Sequence, residues 1–328
     1  MKPYILIIGF LLPSALFAQA DHTEAYYRQA VKKLDSMRAI CPDSLSTPRI
    51  KELDSSPAAN EYLRKLVVAA FRWEGEHCRD INELKARVEK VFALPLDTIQ
   101  SISNRWGEDY LVWLYARRLL SPELQERFLI NWLDFHVEEE WLSHARRYLS
   151  ELEVYFPRSR YINEARAKVR ALESQVEAGK KNPHILFRGP VHSLNELVAP
   201  YKGKVVYLDV WGTWCGPCRE EMKYAAALKQ HVDSSKVVFL YLDEDADEKD
   251  GQWREYVQMN NITGEHLRMN EQDIGVIWEA LLPDSPLART YPRFFIFGRN
   301  GKLVQANAKR PSDEEVLYNQ LKEAIDAP

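Results

Sequence analysis

Between residues 21 and 178 apolar side chains return every three or four positions, and strand-like alternation is nearly absent, which predicts helices throughout. Stripes of this kind run over 62–71, 110–120, 141–152 and 162–172. Ser121-Pro122-Glu123 supplies a cap, a first-turn proline and a helpful charge ahead of Leu124, Phe128, Leu129, Trp132 and Leu133 at helical spacing. No segment recurs at a fixed period, so the pattern predicts an antiparallel bundle or helical array rather than a regular repeat. At Gly179-Lys-Lys-Asn-Pro183 the pattern breaks, with a glycine suited to a helix C-cap and a proline beyond it.

The period then changes. Ser193-Leu-Asn-Glu196 reads as a capping box opening a short helix, 204–210 and 236–242 as buried strands, and 251–260 and 272–282 as helices. Arg293 to Phe297, the turn dipeptide Asn300-Gly301 and Lys302 to Gln305 form a hairpin, and a helix over 312–325 closes the chain. The expected organisation is a leader over 1–20, an all-α domain over 21–178, a linker over 179–183, and an α/β domain with a mixed central sheet flanked by helices over 184–328.

The leader reading rests on Lys2, an apolar run from Ile5 to Leu12, a Pro13-Ser14 break, and small residues at Ala18 and Ala20. That run is too short to span a bilayer, so export with cleavage, and no stable membrane span afterwards, is expected. A net charge of -4 over 328 residues gives no electrostatic reason to bind nucleic acid or anionic lipid. The eight histidines show no paired helical spacing, so no metal and no cofactor is expected. Asp243 to Gly251 superficially matches a calcium loop, but Glu248 and Arg254 stand where that loop needs glycine and glutamate; a solvated loop is expected instead. Of the four cysteines, Cys41 and Cys78 form a distant pair. A disulfide closing a loop of about 37 residues and two unpaired buried thiols both fit the sequence.

Cys215 and Cys218 form a close pair. An apolar run ends at Trp211, Gly212 permits a turn, and Cys215 falls at a helix start, where unpaired N–H groups and the dipole favour a thiolate. Pro217 in the first turn costs that helix nothing, and Cys218 lies one turn on. Cys215 is therefore the expected nucleophile and Cys218 the resolving thiol, the two forming a redox-active disulfide. Resolution needs a base. Asp209, in an otherwise apolar strand, would have its pKa raised by burial, although a carboxylate merely satisfied at the strand end also fits. Glu221, in the second helical turn, reads equally as a site residue and as a dipole-complementing surface charge. Trp214 offers a contact face, whereas core packing would explain Trp211.

Trp214-Cys-Gly-Pro-Cys218, Asp209 six positions before the first cysteine, and Tyr291-Pro292 before the last hairpin resemble the thioredoxin fold. The leader, the elements before Lys204, Gly301-Lys-Leu-Val and Arg310-Pro-Ser312 resemble, more closely, exported TlpA/ResA-type thiol-disulfide oxidoreductases. The resemblance spans 182–328. It implies that Cys215 attacks, that Cys218 resolves, that Pro292 is a cis-proline facing the dithiol, and that Glu221 occupies an acidic position near the site. Trp214, Gly216, Pro217, Tyr291 and Pro292 would form the face that meets substrate. Tyr291 departs from the smaller residue common before that proline. The expected activity is protein-disulfide reduction in the periplasm or cell envelope, with protein thiol or disulfide substrates and a membrane thiol electron donor. A helical scaffold carrying a redox-regulated domain is the alternative. A thiol peroxidase fits poorly, because Thr213 stands only two residues before Cys215 and no proline precedes it at the required spacing.

Overall fold

The computed structural model describes Arg64, Val67 and Val68, then residues 81–283 and 289–327. The leader, Cys41 and Cys78 lie outside the described residues. The chain divides into two compact units, one taking residues through Phe135 together with His144–Ala165, the other His136–Ser143 and Arg166 onward. Among the described residues no helix is long and apolar enough to cross a membrane.

The first unit is helical. Its elements are α1 (Ile81–Phe92), α2 (Leu96–Leu119), most of α3 (Pro122–Glu138), α4 (Leu142–Tyr155) and the start of α5 (Ile162–Lys180). The apolar stripes become a core of Trp113, Phe128, Leu129, Leu133, Tyr148 and Leu152. Within it Glu151 accepts hydrogen bonds from the Tyr110 hydroxyl at 2.7 Å and from Trp113 Nε1 at 3.1 Å, and pairs with Arg147 at 2.7 Å. α2 is kinked at Gly107, just ahead of its apolar stripe.

The second unit is built on one six-stranded sheet in the order β1-β4-β3-β2-β5-β6. Its strands are β1 (Ile185–Phe187), β2 (Val205–Trp211), β3 (Val237–Asp243), β4 (Gly264–Arg268), β5 (Arg293–Phe297) and β6 (Leu303–Gln305). The pairs β1–β4, β4–β3 and β3–β2 are parallel, whereas β5 is antiparallel to both β2 and β6. Every residue of β2 is buried because helices cover both faces, which is why the strand reads as a continuous apolar run. One face packs Tyr207, Trp211, Tyr241 and Phe294 with both cysteines; the other packs Leu208, Val210, Leu240, Trp278 and Phe295.

The covering helices are α6 (Leu194–Val198), α7 (Gly216–Met222), α8 (Ala225–His231), α9 (Asp250–Met259), α10 (Gly275–Leu281) and α11 (Glu315–Asp326). Ser193 caps α6 by accepting from Glu196 N at 3.1 Å, but the Glu196 carboxylate accepts from His192 N rather than closing a box onto Ser193.

Two further features differ from the sequence reading. β1 and β4 leave no mark in the apolar pattern: one is three residues long, and Gly264-Glu-His-Leu-Arg carries too little apolar alternation to signal a strand. Gly179 sits inside the last turn of α5 instead of capping it. A Cβ there would lie 1.9 Å from the carbonyl oxygen of Gln258, so the glycine serves the close approach of α5 to α9.

Candidate active site

β2 delivers the chain to the site. It ends at Trp211, and Gly212 turns so tightly beneath Trp214 that a Cβ would fall 2.4 Å from the indole nitrogen. Cys215 is the N-cap of α7, with Gly216 and Pro217 filling the first turn. Its Sγ is bonded to Cys218 Sγ, with the two Cα atoms 5.2 Å apart, and lies 3.2 Å from the Cys218 backbone nitrogen, whose N–H donates toward it. That N–H and the open end of the helix stabilise a thiolate at Cys215 once the disulfide is reduced. Cys215 is 5% exposed and Cys218 1%, while Trp214 is 55% exposed. Gly216 and Pro217 are exposed beside them, so the sulfurs sit just under a rim of accessible groups.

The rim is held aromatically. Trp214 meets the Tyr291 ring edge-on at 5.0 Å, and its indole N–H donates to Glu244 O at 3.0 Å. Tyr291 in turn receives a hydrogen bond from Trp278 Nε1 at 3.2 Å and lies edge-on to that ring at 5.6 Å. The Tyr291–Pro292 peptide is cis, and Pro292 is buried at the start of β5. Trp211 is wholly buried and belongs to the core.

Three titratable side chains of this domain, Asp209, Glu221 and Lys229, influence one another electrostatically. Asp209 sits in β2 opposite Tyr241 of β3 and Phe294 of β5 and is buried, with Oδ1 finding no hydrogen-bond donor among the described residues. Burial drives its pKa well above the usual carboxylate range; the Glu221 charge pushes the same way and Lys229 opposes. Glu221 is buried, not a surface charge, and its carboxylate accepts from Ser312 N at 3.0 Å and Ser312 Oγ at 2.9 Å, with Arg310 3.9 Å away. Lys229 reaches in from α8, where its ammonium lies 5.1 Å from the ring centres of both Phe239 and Tyr241 and donates to the Thr263 carbonyl. Burial lowers its pKa to about 7 against the attraction of Asp209. On the outer side of α7, Arg219 donates to the Glu139 carboxylate at 2.8 Å and lies 5.2 Å from the Tyr256 ring centre.

Cys215, Cys218 and Trp214 thus lie together just past the end of β2, Asp209 lies within that strand and interacts with Glu221 and Lys229, and Tyr291 packs on Trp214. Lys229 is the site residue that sequence reasoning misses, since one lysine in an amphipathic helix carries no local signal. The reading of 243–251 as a solvated loop is corrected at its start. Asp243 and Asp245 are buried, and Asp245 Oδ2 accepts from Thr213 N at 3.1 Å. An acidic run right after a buried strand does not distinguish a solvent loop from one folded onto a neighbour. Among the described residues no three His, Cys, Asp or Glu side chains are grouped to hold a metal.

Residues 189–321 match the Redoxin family. The thiol-disulfide oxidoreductase ResA of Bacillus thuringiensis subsp. konkukian is 28% identical over 155 residues, covering 46% of this chain and 80% of that protein. ResA of Bacillus subtilis is 50% identical over a shorter stretch of 36 residues, 11% of this chain and 20% of its own. Among solved structures, the thioredoxin domain of a thiol-disulfide oxidoreductase from Bacteroides vulgatus is 20% identical over 39% of this chain and 84% of that one, with a TM-score of 0.32.

Proposed function

This chain is a TlpA/ResA-like, thioredoxin-fold thiol-disulfide oxidoreductase, and we propose that it works in the cell envelope as a reductant of protein disulfides. The observation that carries the reading is Cys215 at the cap of α7, bonded to a deeper Cys218, with a buried Asp209 in the strand that leads to them. In the reduced enzyme the Cys215 thiolate attacks one sulfur of a substrate disulfide; that S–S bond breaks, and the released substrate sulfur leaves as a thiolate that takes a proton from solvent. Cys218 then gives its proton to the Asp209 carboxylate and attacks Cys215 Sγ. The second substrate sulfur leaves, and two electrons have passed from enzyme to substrate. A carboxylate held above its normal pKa is a stronger base and so better matched to a thiol for this transfer. The exposed Trp214, Gly216 and Pro217, with Tyr291 and Pro292, form the face on which a substrate segment docks.

The Cys-Gly-Pro-Cys sequence supports the reducing direction, and the leader-like 1–20 segment supports export. A reductase outside the cytoplasm needs electrons delivered to it, and a membrane thiol carrier would re-form the dithiol by the same exchange run in reverse. The test is turnover. With a small dithiol as donor, the chain is expected to reduce insulin catalytically, and a Cys215→Ser, Cys218→Ser double variant to be inactive. If insulin is not turned over while the double variant still binds a partner tightly, the helical scaffold with a regulatory dithiol is the better account.

A further inference from the structure

The loop that follows β3 grips the loop that carries Cys215. Glu244 N donates to Trp211 O at 2.8 Å, Trp214 Nε1 donates to Glu244 O at 3.0 Å, and Thr213 N donates to Asp245 Oδ2 at 3.1 Å. Of these bonds, only the last depends on a side chain of the gripping loop. Thr213 and Asp245 are both buried, so this N–H and this carboxylate have no water to turn to.

Asp245 is itself held by its neighbour. Its backbone N–H donates to Asp243 Oδ1 at 3.1 Å, and Asp243, the last residue of β3, is entirely buried. Asp243 Oδ2 has no hydrogen-bond donor among the described residues, and the bond from Asp245 N to Oδ1 keeps the two buried acids within one turn of chain, where the Asp245 charge acts on Asp243. Two carboxylates cannot face each other in a buried site with both ionised. One proton between them removes the repulsion and turns Asp243 Oδ2 from an orphaned acceptor into a donor. Both groups are raised above the ordinary carboxylate range, Asp243 by burial and then by Asp245, and Asp245 by burial with Thr213 pulling back.

The surrounding charges leave this arrangement intact. Arg268 of β4 attracts Asp243 but spends its hydrogen bonds on Asp245 O, Asp247 and Asp250, and Lys249 draws Asp245 weakly toward the ionised form. Glu244, half-buried between the two aspartates in sequence, adds negative charge and so favours retention of the proton.

We propose that Asp243 and Asp245 act as one proton-sharing carboxyl pair whose single proton keeps the Cys215 loop in place, making them positioning residues for disulfide exchange. While the proton is held, Asp245 takes the Thr213 N–H and the loop is fixed. When it is lost to solvent at alkaline pH, two buried negative charges repel, Asp245 releases Thr213, and the hold on Trp214 and Cys215 loosens. The inference rests on Cys215 being the attacking thiol.

Two measurements on the full chain test it. The first follows alkylation of Cys215 in the reduced protein against pH, with the labelled site identified by mass spectrometry. Wild type should show the rise from thiolate formation and then an alkaline break. Asp243→Asn, whose amide donates to Asp245 at every pH, should lose that break and keep the rise. The second records the infrared carbonyl band of protonated carboxyls in an Asp209→Asn background, which removes the other acid held well above the ordinary carboxylate range. A protonated band persisting well above the ordinary carboxylate range, and lost when Asp243→Asn is added, supports the pair. Superimposable alkylation profiles for wild type and a folded Asp243→Asn, or no protonated band in Asp209→Asn, would overturn it. The infrared result in Asp209→Asn alone still decides where Asp243→Asn fails to fold. Preferential labelling of Cys218 would instead defeat the assignment of the attacking thiol and leave the infrared result to judge the carboxyl pair.

Discussion

Asp209 is in conflict with its surroundings, and the conflict has a sign. Burial and Glu221 hold its folded pKa above the unfolded value of about 3.9, so the native state binds more protons than the unfolded state across that window. Stability therefore falls as pH rises from about 4 toward the folded pKa, by roughly 1.4 kcal/mol per pH unit. Asp209→Asn removes the penalty. Thermal melts should show the variant more stable than wild type, with a gain that grows from pH 5 to pH 7; a gain independent of pH would contradict the assignment. The comparison belongs below pH 7, because Lys229, lowered to about 7, contributes a slope of opposite sign between there and its unfolded value. The same variant is expected to slow release of the substrate from the mixed disulfide while leaving the first attack nearly unchanged, as stopped-flow kinetics with a model disulfide would separate. Glu221→Gln acts on Asp209 from outside. It removes a repelling charge, so the pH dependence of that resolution step should move to lower pH, and losing charged acceptance from Ser312 should destabilise the fold by about 1.5–3 kcal/mol. An unmoved profile would mean that Glu221 only anchors the Ser312 turn.

At the scale of elements, Gly179 gives a prediction opposite in sign to helix propensity. Alanine is favoured over glycine inside a helix by about 1 kcal/mol, yet here its Cβ would meet the Gln258 backbone oxygen at 1.9 Å. A backbone atom cannot swing aside as a side-chain tip can, and overpacking of this kind costs about 1–3 kcal/mol. Gly179→Ala should lower the urea midpoint; a raised midpoint would show that α5 and α9 separate freely. The case also marks what a sequence can convey. The glycine is visible in the chain, but a close helix approach and a C-cap both call for glycine, and only the position of a distant backbone distinguishes them. β2, β3 and the β5–β6 hairpin are legible because burial on both faces or a turn dipeptide leaves a local mark. β4 is not, since its place is fixed by pairing with β1 and β3 and hardly by its own composition. The dithiol and Asp209 can be located by spacing alone. Lys229, Ser312 and the Asp243–Asp245 contact are joined to the site by the fold, through pairings that no local pattern marks.

For the whole molecule, the two units do not divide where the helical pattern ends. The sheet-bearing unit takes in Arg166 onward, so all but the first turn of α5 belongs with it. Gly179 packs on Gln258, the Asn182 side chain donates to Asn261 at 2.6 Å, and Gly264 N donates to His184 O at 2.7 Å, all tying the segment before β1 to α9 and β4. A chain beginning at 166 should therefore be more stable to urea than one beginning at 184; equal stability would place the working boundary at the change of pattern instead.

The central claim is that Cys215 attacks and Cys218 resolves, and trapping tests it most directly. A reduced Cys218→Ser chain, exposed to a protein disulfide and then digested, should carry the substrate on Cys215 through a disulfide that persists. Absence of any trapped adduct on Cys215, with exchange still proceeding at the wild-type rate, would contradict the account.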